Sequence, residues 1–222
     1  MKHILIIAAV FLFLCQNNGS QAQNSKFKIA RLKYSGGGDW YNDPSAEVNM
    51  MNFLKKNTTI DVGESKFYTA DITSDELFDY PFVLLTGHGN IDFSEKEIKR
   101  LRGYIENGGF IYADDDYGMD ESFRREMKKL FPKEELKELP FNHKIYSSHY
   151  SFPKGLPKIH EHDSKPPQGF GLWYQGRLCV YYTYETNISD GWADPREHDD
   201  PQEKREESFR IGTNIIVYVL SN

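Results

Sequence analysis

Residues 82–98 read FVLLTGHGNIDFSEKEI, and no other stretch constrains the fold as much. Phe82 to Thr86 is an apolar run of strand length that breaks at Gly87-His88-Gly89. Ser94-Glu95-Lys96-Glu97 then forms a capping box, in which hydroxyl and carboxylate each satisfy a backbone N–H at a helix start. Ile98, Leu101 and Ile105 line one face of the helix that follows, and Gly108-Gly109 supplies its left-handed stop. A buried strand, a polar turn and an amphipathic helix form the repeating unit of an α/β sheet.

The unit recurs along the chain. FKIARLKY, from Phe27 to Tyr34, alternates like a strand and empties into Ser35-Gly36-Gly37-Gly38-Asp39-Trp40-Tyr41-Asn42-Asp43-Pro44. Ser45 is expected to cap a helix through about Lys56, with Val48, Met51 and Leu54 at helical spacing. A short strand is expected around Ile60-Asp61-Val62, and a brief helix from Ser74 to near Tyr80. FIYADD runs into Asp114-Asp115-Asp116, and a helix with Phe123, Met127, Leu130 and Phe131 on its core face ends at Pro132. Its outer face, with Arg124, Arg125, Lys128 and Lys129, reads as solvated.

Later, Leu172-Trp173-Tyr174 and Arg177 to Tyr184 form a hairpin around Gln175-Gly176. Length favours a helix for residues 202–220, although IIVYVL alone also suits a strand. With no repeat or linker, the economical reading of residues 23–222 is one α/β domain. Its sheet would be doubly wound, mostly parallel and flanked by helices, with the β-hairpin added late.

The start of the chain has a different character. Met1-Lys2-His3 is a short basic lead, Ile4 to Leu14 is unbroken apolar sequence, and Ser20-Gln21-Ala22 is a small-x-small cleavage site. This order predicts a signal peptide over residues 1–22 and an exported, periplasmic or extracellular protein. The apolar run is well short of the roughly 20 residues a membrane span needs, so no span is expected after cleavage. Cys15 raises a lipid-anchored reading, which the bulky Leu14 before it disfavours. The remaining cysteine, Cys179, lies in the apolar stretch LCVYY and reads as a packed thiol. A formal net charge of −6 without a basic stripe excludes nucleic acid as an expected partner.

In an open α/β sheet, ligands bind at the carboxyl ends of the strands. If the strands are parallel, that rule gathers four polar groups on one edge: Gly36, Gly37, Gly38, Asp39 and Trp40; Gly87, His88 and Gly89; Asp114, Asp115 and Asp116; Glu185 with Asp190-Gly191-Trp192. The glycine triplet lacks the lysine and spacing of a phosphate loop. The glycines around His88 also suit a simple turn. Ile159-His160-Glu161-His162-Asp163 places His160 and His162 on one side of an extended segment, a way to present two imidazoles to a metal. His88, Asp115, His160 and His162 form the candidate set for a divalent metal.

Across nearly all of the mature chain, YSGGGDWYNDP, LTGHGN, the GGF-strand-ADD segment, SFRREMKKLFP, LPKIHEHDSKPPQG and NIIVYVL resemble, in the same order, the family catalogued as domain of unknown function 4159. The resemblance implies a class I glutamine amidotransferase-like fold, a doubly wound sheet related to flavodoxin-like folds, and it brings no mechanism. Amidotransferases of that fold carry a nucleophilic cysteine on a strand-to-helix elbow. The counterpart here is Asp114-Asp115-Asp116, and an aspartate forms no thioester.

Three functions stay open. A binding or accessory module would use the edge as a cleft for a small molecule or glycan, with Trp40, Tyr41 and Trp192 as stacking surfaces. A metal-assisted hydrolase would use the histidines and aspartates to lower the pKa of a bound water. A glycoside-active enzyme would pair two carboxylates, such as Asp39 and Asp115.

Overall fold

The computed structural model describes residues 26–222; the expected signal peptide and Cys15 lie outside them. The strands are β1 (Ala30–Lys33), β2 (Tyr68–Asp71), β3 (Phe82–His88), β4 (Phe110–Tyr117), β5 (Lys137–Glu138), β6 (Gln168–Tyr174) and β7 (Arg177–Tyr184). The α-helices are α1 (Ser45–Asn57), α2 (Glu95–Glu106), α3 (Asp120–Leu130) and α4 (Gln202–Ser221). One seven-stranded sheet has the order β2-β1-β3-β4-β7-β6-β5. All pairings from β2 to β7 are parallel, and β6 and β5 continue the sheet antiparallel. The expected mostly parallel sheet with a late hairpin is present. Gln175 and Gly176 at the hairpin tip have φ of +50° and +82°, the positive angles at both central residues that a tight turn of matching twist requires.

Period-two alternation sends each central strand to two cores. Leu32, Val83, Leu85, Ile111 and Ala113 pack with Leu101 and Ile105 of α2 and Phe123, Met127 and Leu130 of α3. Ile29, Phe82, Leu84, Phe110 and Tyr112 pack with Met50, Met51 and Leu54 of α1 and Ile211, Ile215 and Ile216 of α4. Helices therefore cover both faces, which is why the central strands read as nearly continuous apolar runs. Among the described residues, no helix is long and apolar enough to cross a membrane.

Three local readings change. Ile60–Val62 is not a strand: Val62 makes an isolated bridge with Phe27, and the strand beside β1 is Tyr68–Asp71. Pro44 occupies the N-cap of α1, while the Ser45 hydroxyl accepts the Asp194 N–H and donates to Glu197. β4 runs through all three aspartates to Tyr117. The brief helix expected from Ser74 forms as a 3-10 helix over Asp75–Asp79, with Ser74 accepting the Glu76 N–H and Tyr80 at its end. The capping box of Ser94 and Glu97 forms as the sequence predicts.

The sheet has two short edges. β2 bounds one side. β5 bounds the other with two exposed charged residues.

Candidate functional site

The site begins with a buried ion pair. Arg31 of β1 and Glu47 of α1 are both fully buried, with Nε–Oε1 2.5 Å and Nη2–Oε2 3.0 Å. The remaining guanidinium nitrogen, Nη1, donates to the Trp40 carbonyl, the Asn42 carbonyl and Asn42 Oδ1, each at 2.9 Å. The loop after β1 is thereby fixed from below. It is also joined to the loop after β3, because Gly38 N–H reaches the Asn90 carbonyl at 3.0 Å and Asp92 N–H reaches the Ser35 carbonyl at 2.8 Å.

His88 stands where these loops meet the end of β3. Register slips between Gly87 and His88, so Gly87 faces Asp115 while His88 faces Tyr117. Such bulges re-aim a side chain at a strand end. Gly87 has φ +135°, and a Cβ there would lie 2.5 Å from Tyr34 Oη. His88 donates its N–H to Asp39 Oδ1, and its Nδ1 lies 3.1 Å from Asp39 Oδ2 and 3.2 Å from Asp116 Oδ2. The ring is 52% exposed whereas the Asp116 carboxylate is buried, so His88 stands between solvent and a buried acid.

The three aspartates meet different fates. Asp114 is enclosed by Thr183 and by Ser189, whose N–H and hydroxyl donate at 2.5 and 2.7 Å. Burial pushes its pKa up to about 6, against the hydrogen bonds that favour the charged form. Asp115 points to the other face, accepting the Met119 N–H at 3.0 Å and the Tyr182 hydroxyl at 3.1 Å. It anchors the start of α3. Asp116 alone joins the edge: Asn42 donates to its Oδ2, and Asn187 Nδ2 donates to its Oδ1 at 2.9 Å and to Asp190 Oδ2 at 2.8 Å.

Asp190 is the centre of the charged cluster. One ligand atom each from Asp43, Asp116 and Asp190 lies within 4.8 Å of the others, and the same holds for His160, Asp190 and His198. His160 Nδ1 is 3.0 Å from Asp190 Oδ2, and its Nε2 is 2.8 Å from Asp200 Oδ1. His198 Nε2 is 3.0 Å from Asp43 Oδ2. Burial and the neighbouring Asp190 charge push Asp116 up to about 9. Burial acts the same way on Asp190, but hydrogen bonds from His160 and Asn187 prevail and hold it below the usual carboxylate range. The hydrogen bond to Asp43 lifts His198 to about 9, and that to Asp190 raises His160. Cluster charges are therefore shared among acids and imidazoles rather than paired one to one.

Residues 28–220 match the family described as Domain of unknown function (DUF4159). The chain belongs to that family. Among curated proteins nothing matches it.

Within this DUF4159 domain, the sequence-predicted residues separate. His88 contacts both Asp39 and Asp116, and His160 is linked to Asp116 through Asp190. Asp114 and Asp115 are committed to internal hydrogen bonds. His162 does not follow His160 into the cluster: its Nε2 meets Asn187 Oδ1, and its ring stacks on Tyr117 at 5.0 Å. Glu185 binds Lys158 Nζ at 3.0 Å and the Asp163 N–H at 3.3 Å, tying down the segment that carries both histidines.

Trp192, expected at the edge, is wholly buried against Tyr112 and donates Nε1–H to the Ser208 carbonyl at 3.0 Å. Trp40 packs partly into the core and contributes its carbonyl. In the segments after β1 and at the end of β4, Tyr41 and Tyr117 are exposed, at 63% and 53%. Gly38 permits close approach, since a Cβ would lie 2.8 Å from the His88 carbonyl, while Gly37 and Gly89 face open space with positive φ. Asp43, His198 and Asp200 were not legible as site residues, because each lies in a polar loop without periodicity. The only signal was Asp43 in the loop after the first strand.

Proposed function

We propose that this DUF4159 chain is an exported ligand-binding module, its cleft at the carboxyl edge of an amidotransferase-like, flavodoxin-like sheet. The fold grouping draws support from the parallel order β2-β1-β3-β4-β7, in which the winding direction reverses between β1 and β3. Ligands of open α/β sheets settle at such a reversal. The carrying observation is the contact of half-exposed His88, at the end of β3, with Asp39 from the β1 loop and buried Asp116 of β4.

A thiol mechanism has no support here. Cys179 donates Sγ–H to the Leu172 carbonyl within the β6–β7 hairpin, and burial pushes its pKa up to about 12. The paired-carboxylate reading loses Asp115, which anchors α3. A hydrolytic reading draws on the acids and imidazoles around Asp190, since a cation held there would lower the pKa of a bound water.

Tyr41 and Tyr117, the latter stacked on one side by His162, are exposed aromatic side chains beside hydrogen-bonding groups, a combination suited to a small molecule or glycan with flat and hydroxylated surfaces. Titration of a saccharide panel, followed by tyrosine and tryptophan fluorescence, tests this. Binding lost in Tyr117→Ala and His88→Ala at unchanged thermal stability supports the reading. Binding that ignores both substitutions, or no binding across the panel, overturns it. Export predicts an intact mass beginning at Gln23; a retained leader or a lipid on Cys15 overturns that assignment.

A further inference from the structure

We infer that Asp43, Asp116, Asp190, His160 and His198 form a binding site for a divalent first-row cation such as zinc or manganese. This deepens the cleft reading and rests on it. Three carboxylates and two imidazoles present ligand atoms within 4.8 Å of their neighbours in two groups that share Asp190. Mixed nitrogen and oxygen donors suit zinc or manganese, whereas calcium and magnesium favour all-oxygen sites.

The orientation of His160 is the first specific argument. Its Nε2 faces Asp200 Oδ1 at 2.8 Å. Its Nδ1 faces Asp190 Oδ2 at 3.0 Å, so each ring nitrogen is directed at a carboxylate. A histidine that donates one N–H to a carboxylate and turns its other nitrogen towards an acidic centre has the orientation of a metal ligand with its outer partner.

Asp200 provides the second, independent observation. Its side chain is only 6% exposed, and its Oδ2 is buried with no hydrogen-bond partner. A buried carboxylate oxygen left unpaired is costly, and positive charge in the neighbouring cluster would offset that cost. Access is open, because Asp43, His160 and His198 are each only partly buried, at 17%, 24% and 25% side-chain exposure. Asp116 belongs both to this group and to the contact with His88, so the cation would adjoin the proposed ligand site.

The test uses the purified chain, stripped with chelator and titrated calorimetrically with zinc chloride and with manganese chloride. Saturable uptake of a single equivalent is expected, with a rise in thermal midpoint because only the folded state holds the site. Asp190→Asn and His198→Ala should each weaken binding by at least about tenfold, and Asp200→Asn by about 10–100-fold as an outer-partner loss. His149→Ala, whose ring packs against Tyr150, should bind as the unaltered protein does. If Asp190→Asn does not fold, partly exposed His198 carries the test. No saturable uptake, or uptake that His198→Ala and Asp200→Asn leave unchanged, overturns the inference. Saccharide binding without cation uptake overturns the metal centre and spares the cleft; loss of both overturns both.

Discussion

Arg31 and Glu47 form a two-pronged ion pair with neither side chain exposed, and the arginine alone extends from it to the functional loop. Burial raises the Glu47 pKa, and the guanidinium opposes that shift. Removing one partner leaves an uncompensated buried charge, so Arg31→Met should cost about 3–5 kcal/mol in denaturant unfolding. Arg31→Met with Glu47→Leu should recover much of that loss without restoring the loop, whose Trp40 and Asn42 carbonyls lose their donor. A double variant no more stable than Arg31→Met would contradict this account.

His88 and Asp116 should be energetically coupled. Their side chains are 3.2 Å apart, whereas Asp115 is engaged with Met119 and Tyr182. A stability cycle of His88→Ala and Asp116→Asn should show an interaction of about 0.5 kcal/mol or more. The cycle with Asp115→Asn should come closer to additivity. Equal coupling to both aspartates would be the wrong result.

Two glycines flank His88, but only one should be sterically indispensable. Gly87 combines φ +135° with a position where a Cβ meets Tyr34 Oη at 2.5 Å and Asp39 Oδ1 at 3.0 Å. Gly89 has φ +84° and open space around it. Gly87→Ala should therefore destabilise by about 1–3 kcal/mol or more, while Gly89→Ala should cost about 1 kcal/mol, from backbone strain alone. Thermal midpoints in the reverse order would refute the steric argument.

Alkaline pH should unfold this protein cooperatively. Burial raises the pKa of Cys179 from 9.0 to about 12 and raises Tyr112, Tyr181 and Tyr182 above their ordinary value of 10.0. These groups stay protonated in the folded chain after they would ionise in the unfolded one. The unfolded state then binds fewer protons, so stability is full below about pH 9 and falls as pH rises towards 12. Tyrosinate absorbance should rise in one step together with loss of near-ultraviolet dichroism. Rapid alkylation of native Cys179 at pH 8 would show that its thiol is not enclosed as described.

The central sheet was readable because period and punctuation agreed. Ser94 and Glu97 marked the start of α2, Gly108 marked its end, and Pro132 lies just beyond α3. β2 escaped notice because YTAD is four residues with one buried side chain, Ala70, and its stability comes from pairing with β1. Ile60 and Val62 carried the stronger local pattern and form no strand. In the site, sequence order indicated which segments meet but not which face each residue takes. Successive strand residues alternate, so Asp114, Asp115 and Asp116 could not all point the same way. The pairing of Asp43 with His198 spans 155 positions, beyond any local signal.

The short outer strands also bear on how molecules behave towards one another. An uncovered edge is a template on which a second chain can add a strand. Lys137 and Glu138 at one edge offer two residues of ladder and a charge of each sign, and at the other Lys28 and Lys66 reach over the Tyr68 ring. Lysine at an edge places a hydrated charge where an incoming strand would have to dock. Concentrated solutions of the folded chain should accordingly stay colloidally dispersed, with sheet growth between copies blocked at both ends.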